Sequence, residues 1–115
     1  MNSDVIKSYH AHIYYEDSTR SNAERLRTEM EALFPRAIYG RWHDKHVGPH
    51  PSSMFQIAFE TDLFASLVPW LALNHDPLTI FLHPTTGRAL TDHAKRAIWM
   101  GRQRQLNLSV LSDRE

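Results

Sequence analysis

Apolar and polar residues alternate along several short segments of the chain, as they do in strands that bury one face. The predicted strands are Tyr9–Tyr15, Ala37–Asp44, Met54–Glu60 and Leu78–His83. A weaker alternation over Gln105–Leu111 predicts an extra strand at a sheet edge or on a partner subunit.

Apolar residues at helical spacing predict three helices. The first follows a capping-box pattern at Ser21–Glu24 and ends at Pro35. The second begins at residues 61–62 and is strongly apolar, and Pro69 is expected to break its hydrogen-bond ladder or divide it into two short turns. The third is predicted over Thr91–Met100.

The order strand, helix, strand, strand, helix, strand predicts an α+β fold of the ferredoxin-like, or split βαβ, type. Its sheet is antiparallel, its helices cover one face, and its first strand lies centrally. The residues expected under the helices are Ala11, Ile13, Ile80 and Leu82. The residues expected on the open face are His10, His12, Phe81 and His83. Histidines should therefore converge on that face.

Composition limits the classes of function. The 115 residues are expected to form a single domain, residues 1–115, with 13 basic and 13 acidic side chains and no cysteine. The lack of cysteine excludes a disulfide framework, a thiolate nucleophile and a cysteine-ligated metal. The charge balance disfavours nucleic acid and anionic membranes as partners. No apolar run approaches about 18 residues, so we expect a cytoplasmic protein without a membrane span.

The chain holds eight histidines, a residue that titrates near neutral pH and commonly binds metals. His10 and His12 are two residues apart on a strand, so their side chains point to one face about 7 Å apart at the base. His83 and His50, the latter in a Gly-Pro-His-Pro turn, are candidate third and fourth ligands. His43 and His93 remain as acid–base candidates. The alternative is that the strand histidines simply face solvent.

Other polar and aromatic residues have weaker claims to a site. Trp42, next to Arg41, is the best tryptophan candidate for a ligand contact, although tryptophans more often pack in cores or interfaces. A carboxylate could complete a two-histidine iron site. The candidate carboxylates are Asp44, Glu60 and Asp92, for each of which a solvated or capping role is favoured. No motif supports a hydrolase triad, phosphate transfer or nicotinamide binding.

Five segments resemble the DOPA 4,5-dioxygenase family of small extradiol ring-cleaving enzymes, and together they cover roughly residues 8–111. They are Tyr9–Tyr15 (YHAHIYY), Gly40–Pro51 (GRWHDKHVGPHP), Met54–Phe59 (MFQIAF), Val68–Asn74 (VPWLALN) and Leu82–Asp92 (LHPTTGRALTD), continuing into His93 and Trp99. The family's histidine motifs fall on His10, His12, His43, His50, His83 and His93.

The resemblance implies a ferredoxin-like subunit that assembles as a homodimer, with a dimeric α/β barrel expected, and that uses Fe(II) or another divalent metal. It implies addition of dioxygen across a catechol ring bond next to the two hydroxyls, with DOPA or a related catechol as substrate. The expected ligands are His12, His83 and one of His10 or His50. The uncovered sheet face, which would expose Tyr, Phe and Met, also favours a dimer.

Further roles follow from this chemistry as expectations. His43 or His93 would take the second catechol proton, since the pKa of histidine lies near neutral pH. Tyr14, Trp42 or Phe81 would stack on the ring. Arg41 would hold the carboxylate of DOPA.

Three alternatives remain open at this stage. The first is a non-catalytic module of the same fold that binds an aromatic ligand or a metal. The second is a zinc-dependent hydrolase or isomerase that uses the same histidines. The third is a purely structural dimer.

Overall fold

The computed structural model describes residues 1–114 and contains five strands and three α-helices. The strands are β1 (Ser8–Tyr15), β2 (Ile38–Tyr39), β3 (Ser53–Phe59), β4 (Thr79–Thr85) and β5 (Ile98–Met100). The helices are α1 (Arg20–Leu33), α2 (Phe64–Asn74) and α3 (Ala89–Lys95). Short 3₁₀ turns precede α1 and α2, and another covers Leu108–Val110.

The strands form one antiparallel sheet in the order β2-β3-β1-β4-β5. The first four strands have the predicted split βαβ order, with β1 in the centre, so the α+β class is confirmed. The sheet is open in the single chain. Ile13 lies opposite Phe55 on β3 and Ile80 on β4, and His10 lies opposite His83 on β4. This register places residues of the two central strands side by side on each face.

The main core lies between the sheet and the helices α1 and α2. The four residues predicted to lie under the helices are fully buried: Ala11, Ile13, Ile80 and Leu82. Buried residues of α1 and α2 pack against them, including Met30, Leu67 and Leu71. Each large apolar side chain buried here contributes about 1.5–3 kcal/mol to the stability of the fold.

The second face of the sheet is covered, which corrects the prediction of an open face. Tyr14, Met54 and Phe81 are buried there against Ala97, Trp99 and Leu106. The chain after α3 folds back onto this face and removes the apolar patch from solvent. The expected patch therefore gives no support to a dimer, which remains a prediction.

The third predicted helix, Thr91–Met100, was wrong in its second half. Helix α3 ends at Lys95, and Ile98–Met100 pairs with β4 as an edge strand. The ring of Trp99 stacks on Phe81 at 4.6 Å between centroids, and this contact favours the strand. The predicted strand over Gln105–Leu111 is absent from the described residues, and a 3₁₀ turn lies there instead.

The second predicted strand, Ala37–Asp44, was too long. Only Ile38–Tyr39 pairs with β3, and His43 then forms an isolated bridge to Met54. Gly40 N–H still donates to the Gln56 carbonyl oxygen at 2.8 Å, and the chain leaves the regular ladder at residues 41–42.

The helix predictions were confirmed in position and corrected in detail. Helix α1 begins at Arg20, and the capping box lies one turn earlier, between Glu16 and Thr19, rather than at Ser21–Glu24. Helix α2 continues through Pro69 as one element. Proline removes its own backbone hydrogen bond and crowds the carbonyl four residues earlier, but the buried leucines of α2 hold the helix on the sheet. No helix within residues 1–114 has the length and apolar content that crossing a bilayer requires.

Gly101 ends β5 with a φ of +85°, and a Cβ atom there would lie 3.2 Å from Thr79 Oγ1 and 3.3 Å from the Leu78 carbonyl oxygen. Gly48 has a φ of +57° with nothing within 4 Å of its Cβ position. A positive φ costs a substituted residue about 1–2 kcal/mol.

We expect Gly101→Ala to lower the free energy of unfolding in urea by more than Gly48→Ala, because only Gly101 is also crowded. Equal losses would contradict this placement of β5.

Candidate metal centre

Three histidines of the central strands meet on the second face of the sheet. One ring nitrogen from each of His10, His12 and His83 lies within 4.8 Å of the others. The Nε2 atoms of His12 and His83 are 3.1 Å apart. Strand alternation puts His10 and His12 on one face, and the pairing of His10 with His83 brings in the third ring. His12 and His83 are buried, and His10 is half-buried.

Two further histidines join this group from outside the sheet. The ring of His50 lies 4.1 Å from that of His12, and the ring of His93, on α3, lies 4.0 Å from that of His83. Five of the eight histidines therefore form one cluster. Of the others, His46 is exposed, and His75 contacts the Leu78 carbonyl oxygen.

Backbone carbonyls determine the tautomer of two of these rings. His83 Nδ1 lies 2.8 Å from the Pro84 carbonyl oxygen, and His93 Nδ1 lies 2.7 Å from that of Ala89. A carbonyl only accepts, so each Nδ1 carries the proton and donates it. In the neutral rings, Nε2 then carries a lone pair.

The donor set fits a divalent metal ion. Two nitrogen ligands at about 2.1 Å from a metal and near a right angle are about 3 Å apart, which matches the Nε2 atoms of His12 and His83. His12 Nδ1 is buried and has no hydrogen-bond partner among the described residues. A buried nitrogen without a partner costs about 1–3 kcal/mol, and a metal ion on His12 Nε2 would not remove that cost for Nδ1. The described residues therefore leave one buried nitrogen of the cluster, His12 Nδ1, without a hydrogen bond.

Burial keeps these rings uncharged at neutral pH. It lowers the pKa of His83 to about 3 and that of His50 to about 4, and it lowers the pKa of His12 strongly. Neighbouring histidines lower these pKa values further, and burial also lowers the pKa of His10 and His93. Neutral imidazole is the form that binds metals, so no proton has to be displaced at pH 7.

Tyr14 and Phe81, predicted to stack on a ligand, lie beneath the cluster instead. The Tyr14 hydroxyl lies 2.7 Å from His50 Nδ1, and both side chains are buried. Burial raises the pKa of Tyr14 above its usual range, so the hydroxyl stays protonated. Phe81 is fully buried between His12 and Trp99. These two rings support the histidines and present no open surface for stacking.

The structure separates the three neighbours Arg41, Trp42 and His43. Arg41 and His43 line a groove of about 310 Å³ together with His50. Trp42 packs on the other face of the sheet, 4.7 Å from Phe55 between ring centroids, in the core below α1. The chain leaves the regular ladder here, and Trp42 turns toward the helix side. This placement gives no support to its predicted role as a substrate contact, which stays a prediction.

The candidate carboxylates are occupied elsewhere or exposed. Asp92 is buried, but its oxygens accept hydrogen bonds from Thr86 and Arg96. Asp44 accepts from Tyr15 and Arg20, and Glu60 is exposed. The cluster is thus a histidine site.

Arg104 is a residue that the sequence analysis missed. Its guanidinium lies 5.9 Å from the centroid of the Tyr14 ring, beside the histidine cluster. No local pattern marks this position, because it lies in an irregular segment that approaches the sheet only through the fold.

Comparison with known proteins decides the family. The model of the Dopa 4,5-dioxygenase family matches residues 9–110. The chain belongs to the Dopa 4,5-dioxygenase family. The resemblance seen in the sequence motifs is confirmed, and with it the assignment to a family of dioxygenases.

Individual relatives agree with this assignment. The chain is 34% identical over 122 residues to an uncharacterized 21.2 kDa protein of Botryotinia fuckeliana, covering 96% of this chain and 67% of that protein. It is 31% identical over 114 residues to the DOPA 4,5-dioxygenase of Amanita muscaria, covering 92% of this chain and 50% of that protein. The chain thus spans about two thirds and one half of these relatives.

A solved structure shares the fold. The crystal structure of a candidate dioxygenase from Nostoc punctiforme PCC 73102 has a TM-score of 0.89 and 43% sequence identity. The match covers 91% of this chain and 90% of that one.

The metal-free protein should lose stability as the pH falls from about 6.5 toward 4. The lowered pKa values of His50 and His83 mean that the unfolded chain takes up protons first, which favours unfolding by about 1.4 kcal/mol per pH unit for each such histidine. Urea unfolding in chelator at several pH values measures this slope. His83→Gln should reduce the slope, and the exposed control His46→Gln should leave it unchanged. An unchanged slope in His83→Gln would contradict the burial of a neutral ring there.

Proposed function

We propose that this protein is a metal-dependent extradiol dioxygenase that cleaves the ring of DOPA or a related catechol. The observation that carries the proposal is the meeting of His10, His12 and His83 nitrogens on the central strands. Membership of the Dopa 4,5-dioxygenase family supports the reaction class.

We assign the metal to His10, His12 and His83, and we expect Fe(II). Of the two candidate third ligands, His10 is favoured over His50 because its nitrogen belongs to the group within 4.8 Å. When bound, Fe(II) supplies a Lewis-acid and redox centre that activates catechol and dioxygen toward each other. His50 then supports the His12 ring, and the Tyr14 hydroxyl holds His50 in place.

The proposed reaction balances without an external reductant. One carbon–carbon bond of the ring, next to the two hydroxyls, breaks. Both atoms of dioxygen enter the product, one in a new carboxylate and one in a new carbonyl group. The catechol itself supplies the electrons.

His93 is the better placed of the two proposed bases. Its Nδ1–H is donated to the Ala89 carbonyl oxygen, so Nε2 carries the lone pair that would accept a catechol proton. His93 also lines a cavity of about 210 Å³ together with His10 and His83. His43 lies instead in the groove beside His50, away from this cavity's lining.

Two further proposals concern the group that binds the substrate carboxylate and the oligomeric state. Arg41 is an exposed arginine at the groove that contains His43 and His50, where it could reach a substrate carboxylate. The homodimer, with its dimeric barrel, is checked by measuring the mass in solution with light scattering.

The test is oxygen uptake by protein loaded anaerobically with Fe(II), after addition of L-DOPA. We expect uptake with a yellow ring-opened product. His12→Ala should lower both the bound iron and the rate, by about 100-fold or more, since it removes a buried ligand. The matched control His46→Ala changes an exposed histidine and should keep both.

Other outcomes separate the alternatives. No uptake across a panel of catechols, with iron verified in the protein, would contradict the dioxygenase. Tight catechol binding without uptake would then support a binding module, and anaerobic activity with zinc would support a hydrolase or isomerase.

A further inference from the structure

A second groove lies beside the histidine cluster, on the far side of His93. Its volume is about 350 Å³, and its lining includes His93, Lys95, Trp99, Arg104 and Leu106. Among the residues described, two lining side chains, Lys95 and Arg104, are basic and none is acidic, although Arg104 also pairs with Glu16 outside the lining. The groove therefore favours an anionic group.

Arg104 holds a fixed position in this groove and keeps hydrogen-bond donors free. Its Nη1 lies 3.1 Å from Glu16 Oε1, and its Nη2 lies 3.5 Å from Thr79 Oγ1. Its Nε is buried without a hydrogen-bond acceptor among residues 1–114. A guanidinium has five N–H donors, and these contacts use two. The buried Nε is closed to a ligand, and the second N–H groups of Nη1 and Nη2 remain to bind a carboxylate in the two-pronged geometry that arginine favours.

The sheet register gives the spacing between Arg104 and the histidines. Arg104 contacts Tyr14 and Thr79, which lie opposite each other on β1 and β4. His12 and Phe81 form the next pair on the same face, about 7 Å along the strands. His10 and His83 form the pair after that, so the three histidines lie between about 7 and 14 Å along the strands from the Tyr14–Thr79 pair, a span that a catechol ring with a short side chain reaches at its near end.

The two spaces also share a wall. His93 lines both this groove and the cavity that contains His10 and His83. Trp99, which lines the groove, stacks on Phe81 beneath His12. The two spaces are therefore adjacent, with His93 between them.

We propose that this groove binds the side-chain carboxylate of the catechol substrate through Arg104, with Lys95 adding positive charge. The inference rests on the proposed function and narrows the substrate class to catechols that carry a carboxylate on a short side chain. Of the described residues that line the groove, none is acidic, and Glu16 beside it is already paired with Arg104 at 3.1 Å, so we expect little recognition of an ammonium group. A catechol propionate should bind at least as well as DOPA, and a catechol amine should bind poorly.

Arg104 is a stronger anchor than Arg41 on physical grounds. The Arg104 side chain is 21% exposed, whereas Arg41 is an exposed residue. A charged hydrogen bond is worth more where water is partly excluded, and exposed ion pairs contribute little.

The test is equilibrium binding under anaerobic conditions, measured by calorimetry on metal-loaded protein. The ligands are 3,4-dihydroxyphenylpropionate, L-DOPA, dopamine and 4-methylcatechol. We expect Arg104→Gln to weaken binding of the two carboxylates by about 10- to 100-fold and to leave 4-methylcatechol within about twofold. Arg104→Lys should retain part of the affinity. The control Arg36→Gln removes a surface arginine paired with Asp62 and should change nothing.

Specific results would overturn the inference. Equal weakening of all ligands by Arg104→Gln would show a structural role, and a carboxylate-specific loss in Arg41→Gln would move the anchor there. Thermal unfolding and metal content verify that each variant is intact. Carboxylate-selective binding without ring cleavage would contradict the proposed function alone. Ring cleavage without preference for carboxylates would contradict this inference alone.

Discussion

The pairing of His10 with His83 across the two central strands is the contact on which the site depends. Strand alternation uses one segment for two purposes, since Ala11 and Ile13 build the core while His10 and His12 build the site. A slip of one residue in the register would exchange the two faces. The apolar core that holds the register therefore also holds the spacing of the nitrogens of His10, His12 and His83.

Gathering five histidines around buried strands has an energetic cost, which the fold offsets in part. Carbonyls of Pro84 and Ala89 satisfy two of the rings, and the Tyr14 hydroxyl satisfies a third. His12 Nδ1 is left without a partner among the described residues. A cation at the Nε2 atoms of His12 and His83, which lie 3.1 Å apart, would replace the hydrogen bond between them and leave His12 Nδ1 unpaired.

The sequence predicted what local periodicity controls. Alternation in β1 and β4 correctly separated the core residues from the histidines, and the helical spacing of α1 and α2 placed both helices. It failed where distant packing overrides local preference. Trp99 lies in β5, where its ring stacks on Phe81. Trp42 packs against the core instead of continuing the β2 strand. Arg104 had no local signal, since only the folded chain places it over Tyr14.

The most direct measurement of the central claim is anomalous diffraction at the iron edge from crystals loaded anaerobically with Fe(II). The account predicts one peak, at about 2.0–2.2 Å from nitrogens of His10, His12 and His83. No peak in iron-loaded crystals, or a peak bound to other side chains, would contradict it.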